Sequence, residues 1–447
     1  VTAFANPYAP HTESDVREML DAIGVGIVDD LFAHLPDTAR RAAPPAQPAL
    51  SELELTASLT RLAQRNAHLD ARLSFLGAGA YDHFVPSAVW ALASRGEFLT
   101  AYTPYQAELM QGWLQALFEY QDLIQTLTGM DVANASMYDG ATATFEAVKV
   151  ALNATKRDKV VVSRALHPRY RDVLRTLLAP IGVQLIEAAL EDGHTVPSDL
   201  RNAAVLVVQS PNYLGLIEDV AALAEAAHSA GALIVQVVTD PTSLGLLKAP
   251  GELSVDLVAA EGQALGNPPA YGGPHLGILA ARAELVRLLP GRLVGQGHDA
   301  RGCPGYVLTL QTREQHVRRE KAGSNICTNQ SLNALASAIF LALLGPRGLR
   351  DVAELSVGAT EYARQLLGER PGFEIVHSGP HFHEFALRTP LPPRELNARL
   401  HACGVQGGMP LDADYPELGH AVLLCFTERH DQADVERLAD LLCEVTA

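Results

Sequence analysis

The sequence predicts an α/β protein built on a mostly parallel sheet. Leu233 to Val238 and Val255 to Ala260 are short apolar runs without polar alternation, as expected of strands covered on both faces. Similar runs at Val160 to Val162, Gln184 to Leu185 and Ala204 to Val208 alternate with helical patterns at Arg169 to Leu178 and Val220 to Ala230, the βαβ order of a parallel sheet. The second of the two leading runs feeds a loop dense in Gly and Pro, and such folds place their chemistry in loops at the carboxyl ends of strands.

Taken in order, residues 1–70 read as a helical arm. Thr12 with Asp15, and Ser51 with Glu54, have the spacing of helix N-caps; the first helix stops near Gly24, and a short helix from Val28 to His34 ends before Pro36. Residues 71–331 form the large domain. Gly77 and Gly79 precede Tyr81, Asp82 and His83, a polar aromatic cluster packed against glycines, and a helix is expected at Pro86. Pro104, flanked by Tyr102, Tyr105 and Gln106, suits the first turn of a helix running to Thr128 and stopping at Gly129. Ser136 to Thr142 has the small residues of a phosphate-binding turn at a helix start, with Gly140 and Thr142 inside it; Asp139 is the wrong charge for that task. His167, Asn212 and Tyr213 fall at strand ends. Residues 332–447 form a smaller α/β domain, with helices to Leu344 and from Glu354 to Leu367, strands at Phe373, Glu384 and Ala421, and a closing helix from Gln432.

Composition narrows the partners. The net charge of −17 is spread along the chain and argues against nucleic acid or an anionic membrane. Residues 1–15 lack the pattern of an export signal, and no apolar run is expected to cross a bilayer, which points to a cytoplasmic protein. Cys303, Cys327, Cys403, Cys425 and Cys443 include no C-x-x-C pair and are expected to be reduced, mostly buried thiols. His377, His381 and His383 lie close together without a ligand-spaced carboxylate, so no metal site is expected. Arg313, Arg318, Arg319 and Lys321 form a basic segment in an acidic chain, explained in part by pairing with Glu314 and Glu320.

The segments FLGAGAYDH and YTPYQAE, the loop after Ala260 and the segment TREQHVRREKAGSNICTNQ resemble the P-protein of the glycine cleavage system, the glycine decarboxylase family. That resemblance spans nearly the whole chain. It implies the aspartate aminotransferase-like architecture of pyridoxal-phosphate-dependent transferases, fold type I. In that fold an Asp at a strand end holds the pyridine nitrogen and a Lys after the next strand bonds the cofactor. The aligned positions here are Gln236 and Gln263, and His167 aligns with the ring-stacking position. A Gln amide has no basic amine, nor can it hold a pyridinium proton as a carboxylate does. The resemblance therefore implies the amino-terminal half of a split P-protein, with pyridoxal phosphate carried by subunit 2, glycine as substrate, and the lipoylated H-protein as acceptor. Tyr81, His83, Tyr102, Tyr105 and Gln106 are then expected to support the partner's active site or frame the lipoyl channel. Alternatives are an independent pyridoxal-phosphate aminotransferase or lyase using Lys248, the one lysine in this stretch, and a purely structural or regulatory subunit.

Overall fold

The computed structural model describes residues 10–40, 48–69, 72–99, 103–326 and 329–446. The chain divides into two compact units, residues 1–67 and 68–447.

In the first unit, α1 (Glu13–Ile23) and α2 (Glu52–Ala63) begin at the expected caps. The Thr12 and Ser51 hydroxyls accept the amides of Asp15 and Glu54, and those carboxylates return the bond to the cap amides. Gly24 ends α1 in the left-handed region, φ +84°.

In the second unit a seven-stranded sheet is made from β1 (Val132–Ala133), β2 (Lys159–Ser163), β3 (Gln184–Ala188), β4 (Val205–Gln209), β5 (Leu233–Val238), β6 (Leu257–Glu261) and β7 (Gly277–Ala281). The spatial order is β1-β7-β6-β5-β4-β2-β3. All neighbours from β6 to β3 are parallel, and β7 runs antiparallel between β6 and β1. The lack of polar alternation has the expected cause. Val160, Val162, Val205, Val207, Val235 and Val237 enter one core, while Val161, Leu206, Val208, Ile234 and Val238 enter another. Helix α3 (Gln111–Thr128) contributes to the second of these cores and α4 (Gly140–Thr155) to the first, and α5 (Pro168–Leu178) and α6 (Val220–Ser229) are the crossovers.

Several expectations are corrected. Helix α3 starts at Gln111, not at Pro104, because residues 104–110 turn back before the helix begins. The stretch from Gly277 to Ala281, left unassigned by the sequence patterns, is strand β7. A hairpin of β8 (Leu293–His298) and β9 (Pro304–Thr309) also escapes the sequence patterns. Helix α7 (Ser331–Gly368) is apolar and long enough to cross a membrane, contrary to expectation; half of its most apolar window is buried in the protein. Its first part supplies Ala334, Phe340 and Leu341 to the large core, and Ala363 and Leu367 join the small core. Between them Gly345 adopts φ +60°, ψ −177°, the break expected at Gly345-Pro346. Among the described cysteines only Cys425 is buried, whereas Cys303 and Cys403 are exposed.

The small core is closed by β10 (Glu374–Ile375), β11 (Glu384–Arg388), β12 (Met409–Pro410) and β13 (Ala421–Cys425), with α8 (Pro393–Ala402) and α9 (Gln432–Thr446). Strands β11 and β13 pair so that the ends carrying Glu384 and Cys425 meet residues 75–78 of the glycine-containing loop.

Candidate active site

Strands β5 and β6 end side by side, and each delivers a carboxylate. Asp240 lies two residues beyond β5, and Glu261 is the last residue of β6. The acid at the end of β5 is thus Asp240. Gln236 sits inside the strand, opposite Val208 and Val258. Its amide donates to the Ser210 carbonyl at 3.3 Å.

The loop carrying Tyr81 and His83 is tied down at every polar atom that matters. Glu384 accepts the Ala78 amide at 2.6 Å and the Tyr81 hydroxyl at 2.9 Å. Gln263 accepts the Tyr81 amide at 2.8 Å and donates to the Tyr81 carbonyl at 2.9 Å, so its side chain reads the loop as a strand neighbour would. His83 Nδ1 is 2.7 Å from Glu428 and Nε2 is 2.9 Å from Asp240, which also meets His383 Nε2 at 2.6 Å. Gly77 and Gly79 are required for this approach. A Cβ on Gly77 would lie 2.5 Å from Glu384 Oε1, and one on Gly79, at φ +100°, would lie 2.8 Å from His167 Nε2.

Charge explains the cluster. Burial opposes a charged His83 ring, and the Asp240 and Glu428 carboxylates overcome that penalty, raising it to about 10. Against the same burial, the His83 charge and bonds from both imidazoles hold Asp240 well below the usual carboxylate range. Glu384 is pushed up by burial, against the nearby His383 and its bonds to Ala78 and Tyr81. The ligand atoms of His83, Asp240 and His383 lie within 4.8 Å of one another, a donor set that suits zinc. The three are joined by direct hydrogen bonds, His83 and His383 each meeting Asp240.

At the start of α4, Asp139 caps the helix and exchanges bonds with Thr142, whose amide donates to it at 2.8 Å. The Gly140 amide donates to Glu261 at 3.0 Å, and the other Glu261 oxygen accepts Gln263 and Leu276 amides at 3.1 and 3.0 Å. A protein carboxylate therefore holds the helix terminus where a cofactor phosphate would go. A phosphate dianion does not fit beside it, and Gln263 supplies no amine for an aldehyde. Burial raises Glu261 to about 7. The folded state therefore holds this proton more tightly than the unfolded chain, and stability falls as pH rises from about 4.5 through 7, by roughly 3 kcal/mol. Glu261→Gln is expected to remove that slope in urea unfolding at pH 5 and pH 8. An unchanged slope would place its source elsewhere.

The other expected site residues divide by exposure. His167 caps α5, accepts the Arg169 amide, and lies 2.9 Å from the Ala78 carbonyl; its ring packs on Tyr170 and Tyr213. Tyr81 and His83 are 2% and 4% exposed, so they face inward and fix their own loop. Tyr105, 66% exposed, and Gln106 face solvent, with the Arg292 guanidinium 5.8 Å from the Tyr105 ring. Tyr102 lies outside the described residues. Lys248 is exposed and in no ion pair among the described residues. Asp240, Glu261, Glu384 and Glu428 complete this cluster and are the members that the sequence patterns miss; the signal for the first two was an acid at each strand end.

The single antiparallel strand next to the edge, the parallel body and the strand-end site define a pyridoxal-phosphate-dependent transferase fold of type I. Residues 6–442 match the family described as Glycine cleavage system P-protein. The chain belongs to that family. It is 47% identical over 444 residues to a probable glycine dehydrogenase (decarboxylating) subunit 1 of Desulfitobacterium hafniense, covering 98% of this chain and 99% of the relative. A protein of the same description from Moorella thermoacetica is 48% identical, covering 96% and 98%. Among solved structures, an inhibitor-bound glycine decarboxylase (P-protein) of the glycine cleavage system superposes with TM-score 0.92 at 46% identity, covering 98% of this chain and 100% of that one. A sphingosine-1-phosphate lyase from Burkholderia pseudomallei, TM-score 0.65 at 16% identity, shares the fold alone.

Proposed function

We propose that this chain is the half of a two-subunit P-protein that does not carry the cofactor. The observation that carries the proposal is the refilled pocket: the Glu261 carboxylate on the Gly140 amide and the Gln263 amide clamped on Tyr81. Subunit 2 then holds pyridoxal phosphate, which when bound supplies the electron sink for decarboxylating glycine. The aminomethyl group passes to the lipoyl arm of the H-protein. A two-plus-two assembly in the cytoplasm is the arrangement this reading expects.

In this arrangement each side chain has a physical task. The charged His83 and the Glu384 and Gln263 clamps hold the 77–83 loop rigid, which fixes the neighbouring surface against a partner. Tyr105 and Gln106 are free to meet substrate or the lipoyl arm in the partner's site. An independent enzyme using Lys248 is disfavoured, because that side chain is exposed and in no ion pair among the described residues.

The test is to mix the chain with subunit 2 and follow glycine–carbon dioxide exchange. Tyr105→Ala and Gln106→Ala are each expected to lower exchange by about tenfold or more with association unchanged. Full exchange in both variants would sink the assignment of this surface to the partner's site.

A further inference from the structure

A cationic groove lies on this acidic chain, outside the site. Lys156, Arg287, Arg313, Arg318 and Lys321 line one concavity of about 190 Å3. Ser324 and Ile326 line both it and a neighbouring one of about 490 Å3, which adds Arg319 and an apolar wall of Phe145 and Leu177. Arg313 is committed to structure, donating to the carbonyls of Leu289 and Gly291. Lys156, Arg287, Arg318 and Lys321 are exposed and in no ion pair among the described residues. Among the described residues the one acid lining the smaller concavity, Glu314, is buried with His316 3.7 Å away. Glu146 and Glu320 line the larger concavity, where Glu146 pairs with Lys149, and in a chain of net charge −17 the four exposed cations of the smaller one remain a local positive field.

Shape and position narrow the occupant. A small oxyanion would satisfy the cations and leave Phe145, Leu177 and the exposed Leu288 uncovered. An acidic segment with one apolar face covers both. The groove is also tied to the rim of the site. Arg313 holds the Gly291 carbonyl at 3.0 Å, and the next residue, Arg292, carries the guanidinium beside Tyr105. Asn329 donates to the Ala135 carbonyl at 3.2 Å, just ahead of the turn that starts α4.

We propose that this groove docks an acidic, amphipathic segment of the cofactor-carrying subunit. The proposal rests on the two-subunit reading above and names the surface through which the two chains associate.

The experiment compares the full chain with Arg318→Glu/Lys321→Glu in titrations against subunit 2 at low and moderate salt. A second double variant, Arg347→Glu/Arg394→Glu, makes the same change in net charge at exposed positions away from the groove. Expected is association weakened by about tenfold or more in the groove variant, with a shallower salt dependence, and none of this in the control. Equal weakening in both variants would reduce the effect to net charge and overturn the proposal. So would unchanged association, including the case where inorganic phosphate binds the wild-type chain and not the groove variant, which would make the groove a small-anion pocket. Failure of the wild-type chain to associate at all would instead overturn the two-subunit reading, and the docking surface with it.

Discussion

His83→Ala is expected to destabilise the chain by roughly 3–5 kcal/mol, because it strips the compensating charge from two buried carboxylates. Asp240 and Glu428 are both pulled below the usual carboxylate range, in each case against burial and by their contacts with His83. Removing the ring leaves Asp240 with His383 and the Thr242 amide and hydroxyl, and leaves Glu428 with the Phe84 amide. Urea unfolding reads the change directly. Asp240→Asn in the His83→Ala background should cost less than in the wild type, since the two share one interaction. The pH dependence follows from the shifts. The His83 contribution is fully present below its ordinary value of 6.5 and is lost as pH rises through about 10. The carboxylate contributions are present above their ordinary values and are lost in acid. The alanine variant should therefore lose the alkaline fall in stability. A change under about 1 kcal/mol, with that fall intact, would mean that charge does not hold this cluster together.

The parts of the fold that were legible are those where local chemistry decides. The run Leu233 to Val238 is a strand to the residue, because burial on both faces keeps both of its ends apolar, with Gln236 the one polar residue inside it. Thr12, Ser51 and Gly24 cap as their types dictate, and Gly345 breaks its helix. Strand β7 was not legible, since GILAA follows the Gly- and Pro-rich loop without a turn signal of its own. Pro104 gave a false start for α3, because a proline that suits a first helical turn also suits an ordinary turn. The site failed for a different reason. Tyr81 and His83 stood out by composition, yet their partners Glu384 and Glu428 lie 303 and 345 residues away in sequence. No periodicity joins such positions; only the docking of the small domain's strands against the loop does. The strand-end acids Asp240 and Glu261 were in plain view, and their meaning depended on knowing which strand ends face the loop.

Gln263→Lys is the substitution that separates a vacated cofactor pocket from a refilled one. Restoring the amine alone is expected to leave the chain unable to bond pyridoxal phosphate. The Glu261 carboxylate still occupies the Gly140 amide, and no anion displaces it without leaving a buried charge beside a phosphate. The lysine also removes both bonds to the Tyr81 backbone and the one to the Asn267 carbonyl, at a position only 1% exposed. A loss of roughly 2–4 kcal/mol follows from unsatisfied backbone groups and a buried ammonium. After incubation with pyridoxal phosphate and borohydride, mass spectrometry should find no phosphopyridoxyl label on the single variant above the wild-type background. Gln263→Lys/Glu261→Gly frees the helix terminus and supplies the amine together, and there the label is expected at residue 263. Labelling of the single variant to completion would show that Glu261 does not guard the pocket. Labelling of the wild-type chain, mapped to Lys248, would move the chemistry to the exposed turn before Pro250 and overturn the refilled-pocket reading altogether.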